Sequence, residues 1–358
     1  MKIKQIFLML TLLLLSVVFS NTIVQAADES AEIPFSIEAI HPSNQLSSSR
    51  DASYLDLLIS PQTSQTVSFN VGNKSSKEQH FIIELSNATT SNGLSIDYYK
   101  TDNHLIKSPK ISEMISSSES TKKVSVPGNS TVKVDFKLNY PKEALEGVVL
   151  GGVAISQDPE FMQDSSGHQN NEGVGIKNRY RYALAIQLRS NEKINTTGDV
   201  RLADVKQAVD DYHPVLKTTL QNMNPAMISQ VSTHSILKNQ NGNVIESYDT
   251  SLGQVAPISQ FDLTIPLSNG ALKPGNYNIS GEMTSKKSNQ KWTWNKDFSI
   301  NDENYKGTNE QDVNKETGVS LVFWLCLLII LLLLLLALLF IFIIWKRRKE
   351  DDEESTRD

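Results

Sequence analysis

The chain has 358 residues, a formal net charge of −6 and a single cysteine. Acidic overall and without a basic patch, it offers little to a nucleic-acid backbone, so no nucleic acid is expected as partner. One cysteine rules out a disulfide framework. The six histidines lack metal-ligand spacing, so no metal or cofactor is expected.

In chain order, Lys2 and Lys4 precede an apolar run from Ile6 to Phe19, and Val24 and Ala26 follow at small-residue positions. As a helix that run is about 21 Å long, short of the about 30 Å of a bilayer's hydrocarbon core. Residues 1–26 therefore read as a cleaved secretory signal.

From there the apolar pattern has period two. Val67, Phe69 and Val71 alternate with Thr66, Ser68 and Asn70. Val132, Val134, Phe136 and Leu138 alternate with Thr131, Lys133, Asp135 and Lys137. Tyr182, Leu184, Ile186 and Leu188 share a face, as do Phe261, Leu263, Ile265 and Leu267. Each run predicts a strand with one dry and one wet face. Turn signals such as GNKSSKEQ, PGNS and NQNGN separate them. The expected fold class is all-β: two Ig-like antiparallel β-sandwich domains plus one C-terminal transmembrane helix. The first domain is placed at 31–157, a polar linker at 158–173 and the second domain at 174–300. Residues 301–318 read as a flexible tether with an average span of about 23 Å. In LKPGNY, Leu272 to Tyr277, a tight turn precedes a tyrosine whose hydroxyl can tie back to the backbone, as in a tyrosine corner.

The stretch YPKEALEGVVLGGVAIS holds Gly147, Gly151 and Gly152. A phosphate loop needs a lysine and a helix after its glycines; here Pro159 and a polar stretch follow. The glycines read instead as a close approach of backbones in a buried strand. Ser120 and Ser288 begin Ser-x-x-Lys matches, both in strand or turn context. Asp210 and Asp211 are adjacent, so on a strand they point to opposite faces. No nucleophile stands beside a base, and an enzyme is not expected.

Val319 to Trp345 carries no charge and would be about 40 Å long as a helix. Lys346, Arg347, Arg348 and Lys349 follow at once. By the positive-inside rule residues 346–358 are a cytoplasmic tail, and the rest is extracellular on a single-pass membrane anchor at 319–345. NKETG, Asn314 to Gly318, lacks the Leu and Pro of a sortase signal, so the anchor is expected to be lipid burial.

Several motifs then fall in a telling order. FSIEAIHPSNQ, SYLDLLISPQTSQTVSFNVGNKS, ELSNATTSNGLSIDY and YPKEALEGVVLGGVAIS occupy the first half. YALAIQLR, QVAPISQFDLTIPL, LKPGNY and KWTWNKDFSI occupy the second. Together they resemble the WxL-interacting proteins of Gram-positive bacteria. The chain departs from that pattern at Pro61-Gln62-Thr63, where the family tends to Pro-Gly-Gln. It also departs at Ala256-Pro257-Ile258-Ser259, where the family tends to Ala-Pro-Asn-Ser. The resemblance implies a peptidoglycan-binding first domain and a second domain that binds secreted WxL-domain surface proteins. The chain has no Trp-x-Leu of its own, which makes it the receiver. Asn44, Asn87, Thr89, Asn92, Tyr98 and Tyr99 are glycan-binding candidates, offering amides, hydroxyls and rings; a solvated polar loop is the alternative for SNATTSNG. Pro257, Phe261, Trp292 and Trp294 are partner-binding candidates. Trp292 and Trp294 share one strand face, either in the core or as an exposed patch. The expected function is a membrane-anchored cell-surface adaptor between peptidoglycan and a WxL protein. The alternative is an adhesin that binds a host matrix protein directly.

Overall fold

The computed structural model describes residues 33–98, 105–161, 180–194 and 197–312, with 325, 327–336, 338, 339 and 343 beyond them. The expected signal segment, most of the expected linker, Tyr99 and Lys346 to Lys349 lie outside the described residues.

The first sandwich uses β1 (Phe35–Ile40), β2 (Leu55–Leu58), β3 (Ser64–Asn73), β4 (Gln79–Asn87), the short pair β5 (Thr89–Thr90) and β6 (Ile96–Asp97), β7 (Thr121–Val126), β8 (Ser130–Asn139), β9 (Val149–Gln157) and β10 (Arg181–Arg189). A three-stranded sheet, β1-β3-β8, faces a five-stranded one, β2-β10-β9-β4-β7. The alternation read from the sequence decides which side chains turn inward. Val67, Phe69, Val71, Val134, Phe136 and Leu138 meet Phe81, Ile83, Val153 and Ile155 in one core. Fully burying such a side chain stabilises by roughly 1.5–3 kcal/mol.

Strand β10 departs from the expected division. Placed with the second domain from sequence, it pairs antiparallel with β9 along eight residues from Arg181 to Leu188 and parallel with β2. The cause is visible in β9, whose residues from Val149 to Ser156 are all buried. A strand buried on both faces is central and needs a neighbour on each side; β4 supplies one and β10 the other. Ile186 and Leu188 thereby complete the first core. The glycines of β9 are where backbones approach. A Cβ on Gly151 would lie 2.5 Å from Ile111 Cγ2 and 2.6 Å from the Ser86 carbonyl oxygen.

The second sandwich uses β11 (Val200–Asp210), β12 (His213–Asn222), β13 (Ile228–Asn239), β14 (Val244–Asp249), β15 (Gly253–Val255), β16 (Gln260–Pro266), β17 (Gly275–Ser285) and β18 (Gln290–Ile300). Sheet β11-β12-β16 faces β14-β13-β17-β18, with β15 against β13. Phe261, Leu263 and Ile265 point inward as their spacing predicted. The Tyr277 hydroxyl donates to the Lys273 carbonyl at 2.7 Å, so the tyrosine corner forms. Burial of the ring raises its phenol pKa.

The first part of the expected tether is helical. Helix α1 (Asp302–Gln311) follows β18 directly. Asn301 caps it, accepting from Asn304 N at 2.8 Å, and Asp302 and Glu303 sit in its first turn, at the positive end of the helix dipole. Tyr305 packs on the second core and Thr308 is buried. Farther on, residues 327–336 are helical with exposed apolar side chains. Among the described residues no helix is long and apolar enough to cross a membrane.

Candidate binding sites at the domain junction

The segment expected to meet glycan, SNATTSNG, instead builds the joint between the sandwiches. Asn87 is buried and holds Ser112, donating from Nδ2 to Oγ at 2.9 Å and accepting from the backbone N at 3.0 Å. Thr89 is buried beside it. Thr90 Oγ1 accepts from Ala256 N at 2.9 Å and lies 2.9 Å from Ser259 Oγ, both in the second domain. Leu94 then reaches across. Its side chain is 1 % exposed and belongs to the second core, and its carbonyl accepts from Gln254 N at 2.6 Å. Ile106 N donates to the Ile258 carbonyl at 3.0 Å, and Val148 N to the Pro225 carbonyl at 2.8 Å.

The other candidates scatter. Asn44 donates to the Leu58 carbonyl at 2.9 Å and exchanges amide hydrogen bonds with Gln65, so it braces the first sandwich. The Tyr98 ring packs where a Cβ on Gly152 would otherwise go, and burial pushes its phenol up to about 12. Asn92 is exposed at the turn. Pro257 and Phe261 are buried, and Trp294 lies in the second core at 7 % exposure. Trp292 is half-buried against the same core. Of the two tryptophans, neither forms a free patch. The structure thus spends Asn44, Asn87, Thr89 and Phe261 on its own packing and hydrogen bonds, not on the contacts expected of them, and Trp294 takes the core alternative.

Two crevices flank the joint. One of about 530 Å³ is lined by Lys107, Pro109, Lys142, Glu143, Glu146 and Pro225. The other, about 330 Å³, lies between the β2–β10 edge and the start of β13. Its polar wall was not read from the sequence. Asp56 is 3 % exposed and is held by Arg189 Nη2 at 2.9 Å, Gln187 Nε2 at 3.0 Å and Ser49 Oγ at 3.1 Å. The signal was present: an aspartate inside YLDLL, in a buried strand, demands a cation. Breaking such a pair by removing one partner costs about 3–5 kcal/mol. Among the described residues no cluster of His, Cys, Asp or Glu could hold a metal ion.

Comparison with known families places both domains. Residues 35–157 match the peptidoglycan binding domain of the WxL Interacting Protein, and residues 171–310 match its host binding domain. The chain belongs to the WxL-interacting protein family. Both matched units of this WxL-interacting protein are binding domains. The second matched range includes α1 nearly to its end and also β10, whose hydrogen bonds lie in the first sandwich. No curated protein matches the chain significantly. Among solved structures, the chain matches a CFA/I fimbrial chaperone–tip adhesin complex at 13% identity, covering 73% of this chain and 98% of that one, with a TM-score of 0.28. The Pseudomonas aeruginosa CupB2 chaperone is similar at 14% identity, 66% and 93% coverage and a TM-score of 0.25. The E. coli chaperone DraB is similar at 11% identity, 75% and 97% coverage and a TM-score of 0.25.

Proposed function

We propose that this WxL-interacting protein is a non-catalytic surface adaptor held in the membrane by its C-terminal apolar segment. The first domain binds peptidoglycan and the second captures a secreted WxL-domain surface protein. The observation that carries this reading is the side-by-side match of a peptidoglycan-binding and a partner-binding domain on two sandwiches clasped at one joint. The anchor is supported by leucines and isoleucines in residues 327–336, which are helical yet each roughly half exposed, an arrangement favoured only when lipid or another apolar phase covers it. The run of Lys346 to Lys349 then sets the inner side.

Cosedimentation with purified sacculi tests the first domain, and capture of a WxL-domain protein by the immobilised chain tests the second. Protease added to wall-stripped cells should remove both sandwiches and leave the anchor. Loss of sacculus binding together with absent WxL capture would overturn the adaptor. A second reading, direct adhesion to host matrix, is favoured by the description of the second domain as host binding. It requires that walled cells hold bead-bound matrix protein as strongly as wall-stripped cells do; the adaptor reading expects walled cells to fail.

A further inference from the structure

The smaller junction crevice has a chemistry that the adaptor reading leaves unused. Val148, Ile194, Met227 and Ile228 give it an apolar floor within about 330 Å³. Arg189 lines it from the first domain and Lys287 from the second. Asp56 lines it too, yet both of its oxygens are taken, Oδ1 by Gln187 and Oδ2 by Ser49 and Arg189. The aspartate is therefore neutralised and does not attract a cation. Arg189 Nη2 serves Asp56 and Nη1 reaches the Glu192 carbonyl at 3.4 Å. Its Nε is buried and has no hydrogen-bond partner among the described residues. Lys287 at the rim is exposed and has no ion-pair partner among the described residues. With Asp56 offset by Arg189, Lys287 gives the crevice a net positive field.

We propose that this crevice binds the free carboxylate of a short peptide ending in small apolar residues. Lys287 receives the carboxylate, and the apolar floor receives the side chains. Stem peptides of peptidoglycan present that chemistry, so the proposal rests on the peptidoglycan-binding reading and names the group recognised. A neutral sugar would leave Lys287 without a counter-charge, and a cationic ligand would be repelled. Because Val148 lines the crevice from the first domain and Lys287 from the second, the bound peptide also fastens the sandwiches to each other.

The test is titration of the full chain in detergent with acetyl-D-alanyl-D-alanine and with its C-terminal amide, followed calorimetrically. The carboxylate form should bind about tenfold or more tighter than the amide, as a charge-assisted hydrogen bond predicts. Lys287→Gln should abolish that preference. Lys291→Gln should not, since Lys291 pairs with Glu282 at 2.7 Å away from the crevice. Equal binding of acid and amide, no binding of either, or an unchanged preference in Lys287→Gln would overturn the assignment. Sacculus cosedimentation of the same preparation separates the two levels. If it persists in any of those cases, only the crevice assignment falls; if it is lost as well, the peptidoglycan reading falls with it.

Discussion

Replacing Leu94 with alanine tests whether the sandwiches fold as one unit. Leu94 sits in the turn between β5 and β6 of the first domain, yet it packs in a cluster with Val255, Phe261, Met283 and Trp294 of the second. Its φ is +56°, a left-handed conformation that costs a residue with a Cβ roughly 1–2 kcal/mol. The burial offsets that strain. Truncating a buried leucine costs about 2–5 kcal/mol, depending on how far the surroundings collapse. Collapse is hindered here because the hole lies inside the second domain's core while the truncated residue is held by the first, pinned by Gln254 N to the Leu94 carbonyl and Ala256 N to Thr90 Oγ1. A loss of about 3 kcal/mol is therefore expected. Leu94→Gly removes one further carbon, worth about 0.8 kcal/mol, but relieves the left-handed strain, about 1 kcal/mol or more. The glycine variant should then match the alanine variant. Scanning calorimetry on a fragment spanning residues 27–312 should show one transition for the native sequence and two for Leu94→Ala. A single transition lowered by less than the equivalent of about 1 kcal/mol would refute the coupling. A glycine variant clearly weaker than the alanine variant would refute the strain.

Strand β10 gives a second prediction: a fragment spanning 174–312 carries it without β9 and β2, and should self-associate through its unpaired edges. A fragment spanning 197–312 lacks that edge, and light scattering should find it less associated; equal association would place β10 elsewhere. Gly151→Ala should cost about 1–3 kcal/mol through overpacking against Ile111 and Ser86. Gly307→Ala, on the open face of α1 with nothing within 4 Å, should stabilise by up to about 1 kcal/mol; chemical denaturation of both variants checks the contrast. Burial raises the Tyr98 phenol to about 12, above the about 10 of an unfolded tyrosine. Its contribution to stability is thus fully present below about pH 10 and is lost as pH rises towards 12. Tyr98→Phe should remove one late phenol from an ultraviolet titration and flatten the alkaline loss; loss of one phenol from the ordinary transition at about pH 10 instead would show that Tyr98 ionises normally.

The strands were legible because burial on one face writes period two into the sequence, as in Val132 to Leu138. The tyrosine corner was legible because a turn and one ring suffice to specify it. What stayed hidden depends on a distant partner. SNATTSNG has the composition of a solvated loop, and only the second domain, 169 residues away at the Thr90–Ser259 contact, takes the Thr90 hydroxyl into buried hydrogen bonds. Helix α1 buries too few apolar groups, chiefly Tyr305, to show a 3.6 period; its Asn301-Asp302-Glu303 start was the available sign. The register of β10 is likewise a property of β9's second edge, which no local pattern reports.

Helix α1 also fixes which way the molecule points on the proposed topology. The end of β18 at Ile300 pairs with Gly275, at the pole that holds the β11–β12 hairpin tip. Leu94 and Thr90 dock on the segment from Gly253 to Ser259, at the opposite pole, where β16 begins. The chain therefore leaves the second sandwich on the side away from the first. Six residues separate Asp312 from Val319, and fully extended they reach at most about 25 Å. The second domain then stays close to the bilayer, with the first domain one strand length farther out, about 35 Å for a strand of eleven residues. That order suits the first domain's ligand, since the outer module is the one that meets peptidoglycan. It also bears on the second domain's partner. A secreted protein crosses the space beside the bilayer on its way out and can be captured there, whereas a host surface would have to reach through the wall to the same face.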